Sequence, residues 1–140
     1  MTTAAGGCLC GAIRYEVSAE PIFQLACFCR DCQYTSGGAP TLAVAVPKPA
    51  LKITRGEPRT YWVAADSGAK VGRSFCGACG TPLFSEPSGI GEIAVIKVGS
   101  LDDPSMFKVQ VDIWMKSAQP WHRPHEGAAQ FETSPATPGR

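Results

Sequence analysis

Val71-Gly72-Arg73-Ser74-Phe75-Cys76-Gly77-Ala78-Cys79-Gly80-Thr81-Pro82-Leu83-Phe84-Ser85 sets two cysteines between two short runs that carry no helical apolar period. Residues 71–75 lead in and residues 82–85 lead away, so the spacing predicts a β-hairpin with Cys76 and Cys79 at its tip. Cys-Gly-Ala-Cys-Gly has the form of a metal knuckle. Glycine lets the backbone curl around sulfur and supplies the positive φ that other residues resist.

Working outward from the hairpin, short strands are predicted on both sides. Ile13, Tyr15 and Val17 alternate with Arg14 and Glu16, the period of a half-buried strand. Residues 22–27 form another, with Phe23, Leu25 and Cys27 on one face. Residues 41–46, 51–54, 60–63, 93–98 and 109–114 follow, with turn signals at 55–58, 66–68 and 102–105. A short helical turn fits residues 30–34. Strands at about 8–12-residue spacing, broken by Gly and Pro, predict an all-β fold of two sheets. The expected organisation is a single domain over 1–132, with Trp121 and Phe131 pinning its end and 133–140 a frayed tail.

Composition narrows the function. The chain has 140 residues, the size of one core. Lys and Arg number 13 against 12 Asp and Glu, so no excess positive charge points to nucleic acid or anionic lipid. Residues 1–7 lack the basic start and apolar run of a secretory signal, and no apolar run approaches the ~20 residues of a membrane span. The expectation is a soluble, cytoplasmic protein with no nucleic-acid or membrane partner. In a reducing compartment, an odd set of seven close-spaced cysteines points to metal binding or redox chemistry before a disulfide framework.

Seven divides as four plus three. Cys8 and Cys10 stand two apart, a spacing that puts both on one face of an extended strand. With Cys76 and Cys79 they make a tetrahedral set, for which zinc–sulfur bonds of ~2.3 Å require sulfurs about 3.8 Å apart. A shared zinc ion would tie the start of the chain to the later hairpin, and its binding would be folding free energy. The competing readings are a redox Cys-x-x-Cys, buried thiols, or iron in place of zinc.

Cys27, Cys29 and Cys32 form the second cluster. Three thiolates leave a coordination position open to water or to a substrate thiol, with His122 or His125 as a fourth ligand, or metal-free reactive thiols, as alternatives. Arg30 is a candidate cation for this site, with a surface ion pair as its competing role. Asp31 suits a turn better than a general base. Ser36-Gly37-Gly38 fits either close substrate approach or a flexible loop. His122 and His125 are expected to face solvent, and Trp62, Trp114 and Trp121 to be core or tail anchors.

Taken as an ordered series, Gly7-Cys8-Leu9-Cys10-Gly11, Cys27-Phe28-Cys29-Arg30-Asp31-Cys32, Cys76-Gly77-Ala78-Cys79-Gly80, Val98-Gly99-Ser100-Leu101-Asp102 and the late Trp121 resemble the glutathione-dependent formaldehyde-activating enzyme family, which also includes centromere protein V. The resemblance covers about the first 130 residues. It implies a β-tent, two small antiparallel sheets meeting at an angle. It also implies a structural zinc on Cys8, Cys10, Cys76 and Cys79, and a second, open zinc on Cys27, Cys29 and Cys32. The implied activity is that of a carbon–sulfur lyase interconverting S-hydroxymethylglutathione with glutathione and formaldehyde. Where family members often carry an Asp-Gly-Leu-Pro-Gln-Phe-type run, this chain has His125-Glu126-Gly127-Ala128-Ala129-Gln130-Phe131. Two classes of function follow. One is a zinc lyase acting on a glutathione–aldehyde or related thiol adduct, with Cys27, Cys29, Cys32 and Arg30 as its catalytic set. The other is a non-enzymatic zinc-stabilised binding module that needs only the four-cysteine site.

Overall fold

The computed structural model describes residues 3–64, 68–87 and 92–134. Its strands are β1 (Ala4–Gly7), β2 (Arg14–Val17), β3 (Phe23–Cys27), β4 (Thr41–Pro47), β5 (Leu51–Arg55), β6 (Arg59–Ala64), β7 (Lys70–Phe75), β8 (Pro82–Pro87), β9 (Ile93–Lys97), β10 (Val111–Ile113) and β11 (Ala129–Gln130). A single α-helix, α1 (Arg30–Thr35), occurs among the described residues, where the helical turn is predicted. The all-β expectation is met, and the strands belong to two sheets. Of the predicted turn at 66–68, Asp66 and Ser67 lie outside the described residues.

Two compact units divide the chain. The first comprises the segment up to Phe23 together with Val44–Met106, and the second comprises Gln24–Ala43 with the segment from Phe107 onward.

In the first unit β1, β2 and β5 form an antiparallel three-stranded sheet. The predicted alternation places Ile13, Tyr15 and Val17 inward at 2%, 0% and 2% exposure, while Glu16 is exposed. β6, β7, β8 and β9 pair as consecutive antiparallel neighbours. Leu83, Phe84, Ala94 and Ile96 from β8 and β9 are buried. β1 is not predicted from the sequence, because Ala4-Ala5-Gly6-Gly7 has no β-branched side chain. Its small residues answer a packing demand: a Cβ on Gly6 would lie 2.3 Å from the Ser100 carbonyl oxygen and 2.4 Å from the Tyr15 hydroxyl.

In the second unit β10 runs parallel to both β3 and β11. These pairings add parallel neighbours to a fold whose family resemblance implies antiparallel sheets. The physical reason is the connection: β3 and β10 are not joined by a hairpin but separated by a long excursion of the chain, as parallel neighbours require. Ala26, Phe28 and Val109 form the local core, packed with Phe107, Met115, Ala118 and Ala128. β10 is shorter than the predicted 109–114: it starts at Val111, and it stops at Ile113, where Trp114 turns into the left-handed region at φ 60°. Trp114 anchors the end of the described chain: its N–H donates to the Thr133 carbonyl and its indole N–H to the Ser134 hydroxyl. Residues 135–140 of the expected frayed tail lie outside the described residues.

Among the described residues, no helix is long and apolar enough to cross a membrane.

Candidate metal centres

The first cluster is held by two turns within the first unit. Cys76 and Cys79 sit between β7 and β8, as the hairpin reading predicts. The Cys76 N–H donates to the Thr81 carbonyl, and the Gly80 N–H closes back on the Cys76 carbonyl at 2.8 Å with Gly80 at φ 79°. The predicted strand geometry of Cys8 and Cys10 is not observed. β1 ends at Gly7, and Cys8-Leu9-Cys10-Gly11 is a turn closed by the Gly11 N–H on the Cys8 carbonyl, with Gly11 at φ 81°. A turn brings the two sulfurs to 3.6 Å, far nearer than i and i+2 side chains on a straight strand.

All four sulfurs lie within 4.8 Å of one another. The Cys10–Cys76 separation of 3.9 Å matches the ~3.8 Å of a tetrahedral zinc–thiolate set, and both measured separations are far beyond the ~2.05 Å of a disulfide. Backbone donors are aimed at the sulfurs: Ile13 N–H to Cys8 at 3.2 Å, and Ala78 and Cys79 N–H to Cys76 at 3.3 and 3.5 Å. Such donors favour thiolates, the form that binds metal.

Thr81 is a further member of this site, and the sequence reading misses it. Its hydroxyl oxygen accepts the Leu9 N–H at 3.1 Å and lies 3.1 Å from the Cys79 sulfur, to which it donates when that sulfur is a thiolate. It thereby bridges the two cysteine pairs. The Thr81 hydroxyl, with the Thr81 and Cys10 N–H groups, pulls the Cys79 thiol down to about 5. At Cys10 the Ala12 N–H pulls downward, but the Cys8 and Cys79 sulfurs and burial outweigh it and push the thiol up to about 11. Burial pushes Cys8 up, but the Ile13 N–H and the donors at Cys10 and Cys76 prevail and lower it. Neighbouring thiols forced apart in this way resist ionising together, and a divalent cation removes that conflict. The donor set therefore fits zinc.

The second cluster lies wholly in the second unit. Cys27 ends β3, Cys29 caps α1 and Cys32 lies in its first turn, so a strand end and a helix start gather three sulfurs within 4.8 Å. Cys27 and Cys32 are buried, and the Cys32 N–H donates to the Cys29 sulfur at 3.4 Å. The Cys29 and Cys32 sulfurs, then burial, push the Cys27 thiol far up. Cys29 is pulled down by Cys27 but raised overall by Cys32 and burial. Here too the thiols resist ionising together, and a cation would be needed to hold them as thiolates. Among the described residues no His, Asp or Glu joins this group of three.

His122 and His125 have other partners, and both remain partly exposed, the His125 side chain at 37%. His122 accepts the Gln119 N–H at Nδ1, leaving Nε2–H to donate to the Gly38 carbonyl, both at 2.8 Å. His125 Nδ1 contacts the fully buried Asp112 carboxylate at 2.7 Å. Phe28 packs against both rings, at centroid distances of 5.2 and 6.2 Å. Gly37 and Gly38 adopt positive φ in a closed loop, with the Gly38 N–H donating to the Gln33 carbonyl. Trp121 is 63% exposed and stacks near His122, while Trp62 is 52% exposed and lies over Gly72, so neither is a core side chain.

Arg30 is on the exposed side of α1, in the turn that carries Cys32. Its Nη1 donates to Gln33 Oε1, and its guanidinium lies 4.8 Å from the Tyr34 ring centre. Asp31 is exposed in the same turn.

Residues 3–117, which include all seven cysteines, match the family model described as glutathione-dependent formaldehyde-activating enzyme. No match is found among curated proteins. Among solved structures, the crystal structure of a Rhodobacter sphaeroides protein is similar, with a TM-score of 0.58 and 22% identity, covering 70% of this chain and 87% of that one. At that identity the likeness speaks for the fold alone. The family match spans both cysteine clusters and most of the chain, and the chain belongs to the glutathione-dependent formaldehyde-activating enzyme family.

Proposed function

We propose that the protein is a zinc-dependent carbon–sulfur lyase that interconverts S-hydroxymethylglutathione with glutathione and formaldehyde, or acts on a related thiol–aldehyde adduct. The observation that carries this reading is the three-cysteine cluster, which offers one ligand fewer than a closed tetrahedral site. Family membership supports the substrate class.

Cys8, Cys10, Cys76 and Cys79 would hold the structural zinc, and Cys27, Cys29 and Cys32 the second. Zinc, when bound there, supplies a cross-link at the first cluster and, at the second, a position that favours the thiolate form of an incoming thiol. In the adduct-forming direction the glutathione sulfur bonds to the aldehyde carbon, and the carbonyl oxygen takes up the proton. Arg30 offers N–H donors to that oxygen as charge develops on it. Its hold on Gln33 and Tyr34 limits the side-chain freedom lost when substrate binds. All seven cysteines are free of disulfides, which accords with a cytoplasmic location where thiols stay reduced. The near balance of charge argues against a nucleic-acid partner.

The test is zinc content together with exchange broadening of glutathione resonances on adding formaldehyde. Two zinc ions per chain with exchange faster than in buffer is the expected result. Two zinc ions with no acceleration would sink the lyase reading and leave the binding module. Cys29→Ser separates the two, since the lyase loses activity while folded and the module keeps its partner.

A further inference from the structure

Beside Cys32 stands a polar side chain that has no contact with the reacting atoms in the proposed chemistry. Gln33 is only 2% exposed, yet its amide has every hydrogen-bonding position filled. Nε2 donates to the Phe28 carbonyl at 2.7 Å and to the Ser117 carbonyl at 3.0 Å. Oε1 accepts from Arg30 Nη1 at 2.5 Å and from Gln119 Nε2 at 3.1 Å. One arm of the amide faces two carbonyls and the other faces a guanidinium, so the orientation of the amide is fixed by its partners.

A leucine or methionine would fill this space without the need to satisfy four hydrogen-bonding positions. The buried amide is tolerable only because every position is satisfied, and what it provides is orientation. The Phe28 carbonyl belongs to the peptide that links Phe28 to Cys29. Fixing that peptide sets how the Cys29 side chain leaves the backbone between Cys27 and Cys32. The main chain of Gln33 adds to this hold, since its N–H donates to the Cys29 carbonyl at 3.0 Å. Through Oε1 the same amide also holds Arg30.

We infer that Gln33, buttressed by Gln119, is the positioning residue of the three-cysteine centre, setting the Phe28–Cys29 peptide for metal binding and aligning Arg30 beside it. The inference rests on the metal reading of Cys27, Cys29 and Cys32 given above, but not on the identity of the substrate.

Cobalt(II) titration of the whole protein tests it, because cobalt–thiolate absorption reports ligand geometry without any turnover. The bands of the second centre are identified by their loss in Cys29→Ser. Gln33→Met is expected to weaken uptake at this centre about 10–100-fold and to shift its bands, leaving the four-cysteine centre unchanged. Gln119→Leu removes one of the two donors to Oε1 and is expected to act in the same direction by about tenfold or less. Should Gln33→Met fail to fold, Gln119→Leu decides the matter. Two cobalt ions in the wild type, with second-centre affinity and bands unchanged in the folded variants, overturns the inference alone, whatever their melting temperatures. A wild type that takes up one cobalt ion, lost in Cys79→Ser and kept in Cys29→Ser, overturns it together with the metal reading beneath it.

Discussion

The sulfurs of Cys10 and Cys76 lie 3.9 Å apart although 66 residues separate them in the chain. A shared ion therefore closes a long loop, and its loss returns that loop's entropy to the unfolded state while leaving thiolates without a counter-charge. Cys79→Ser is expected to destabilise the protein by on the order of 3–5 kcal/mol, and a zinc chelator to lower the melting temperature of the wild type. Cys32→Ser is expected to leave most of the stability in place and abolish binding at the second centre. Thermal unfolding with metal analysis checks this; equal melting temperatures for the two variants would contradict the division of roles.

Tyr15 is fully buried with its hydroxyl 2.6 Å from Ser100 Oγ. Ser100 in turn donates to the Lys97 carbonyl at 2.8 Å, so the Tyr15 proton occupies the bond between the two hydroxyls. Tyr15→Phe keeps the ring and is expected to cost about 1–2 kcal/mol. Burial pushes the phenol up to about 12, against ~10 for an unfolded tyrosine. The fold favours the neutral form, so this contribution is complete below pH ~10 and is lost as the pH rises through about 12, a change on the order of 2–3 kcal/mol. Denaturant midpoints from pH 9 to 12 should fall more steeply for the wild type than for Tyr15→Phe.

Arg14 and Asp102 supply a pH effect of the opposite sign. Arg14 makes two bonds to the Asp102 carboxylate, at 2.8 and 2.5 Å, and these bonds hold that carboxyl below the usual range. The stability it contributes is present above the unfolded carboxylate pKa of ~3.9 and is lost as the pH falls through the folded value. Both side chains are partly exposed, so the effect should shrink with added salt. Asp102→Asn is expected to flatten the stability profile below pH ~4, most clearly at low ionic strength. An unchanged acid limb would remove the pair from the stability account.

The parts of this fold that announced themselves in the sequence are those governed by local rules. The Ile13-Tyr15-Val17 alternation, the 71–85 hairpin and the cysteine spacings each follow from side-chain period or ligand geometry within a few residues. What escaped depends on distant partners. β1 forms by pairing with β2 where Tyr15 and Ser100 leave no room for a side chain at Gly6, and β11 is two residues placed beside β10. Thr81 carries no motif of its own, and only the fold sets it between Leu9 and Cys79. His122 and His125 stand in a Pro-rich stretch that resembles a surface loop, and the contacts that fix their partly exposed rings come from Gly38, Phe28 and Asp112, none of them near in sequence.

Asp112 makes the strongest demand of these long-range partners. It is fully buried on β10 and accepts three bonds of 2.7 Å, from His125 Nδ1, the His125 N–H and Gln130 Nε2. A carboxylate is the one side chain of this size that accepts at all of these positions without offering a donor of its own. Asp112→Asn turns an NH2 group towards at least one existing donor and is expected to cost about 2–3 kcal/mol. Asp112→Ala removes the acceptor of all three bonds, although Gln130 Nε2 keeps the Ala128 carbonyl, and should cost more, about 3–5 kcal/mol. The loss should be local, since what Asp112 holds is the segment from His125 to Gln130. Limited proteolysis should therefore cut the Asn variant first within residues 119–131, and the His125 ring resonances should move towards those of a free imidazole. A variant within about 0.5 kcal/mol of wild type, with an unchanged cleavage pattern, would show that Asp112 does not organise this segment.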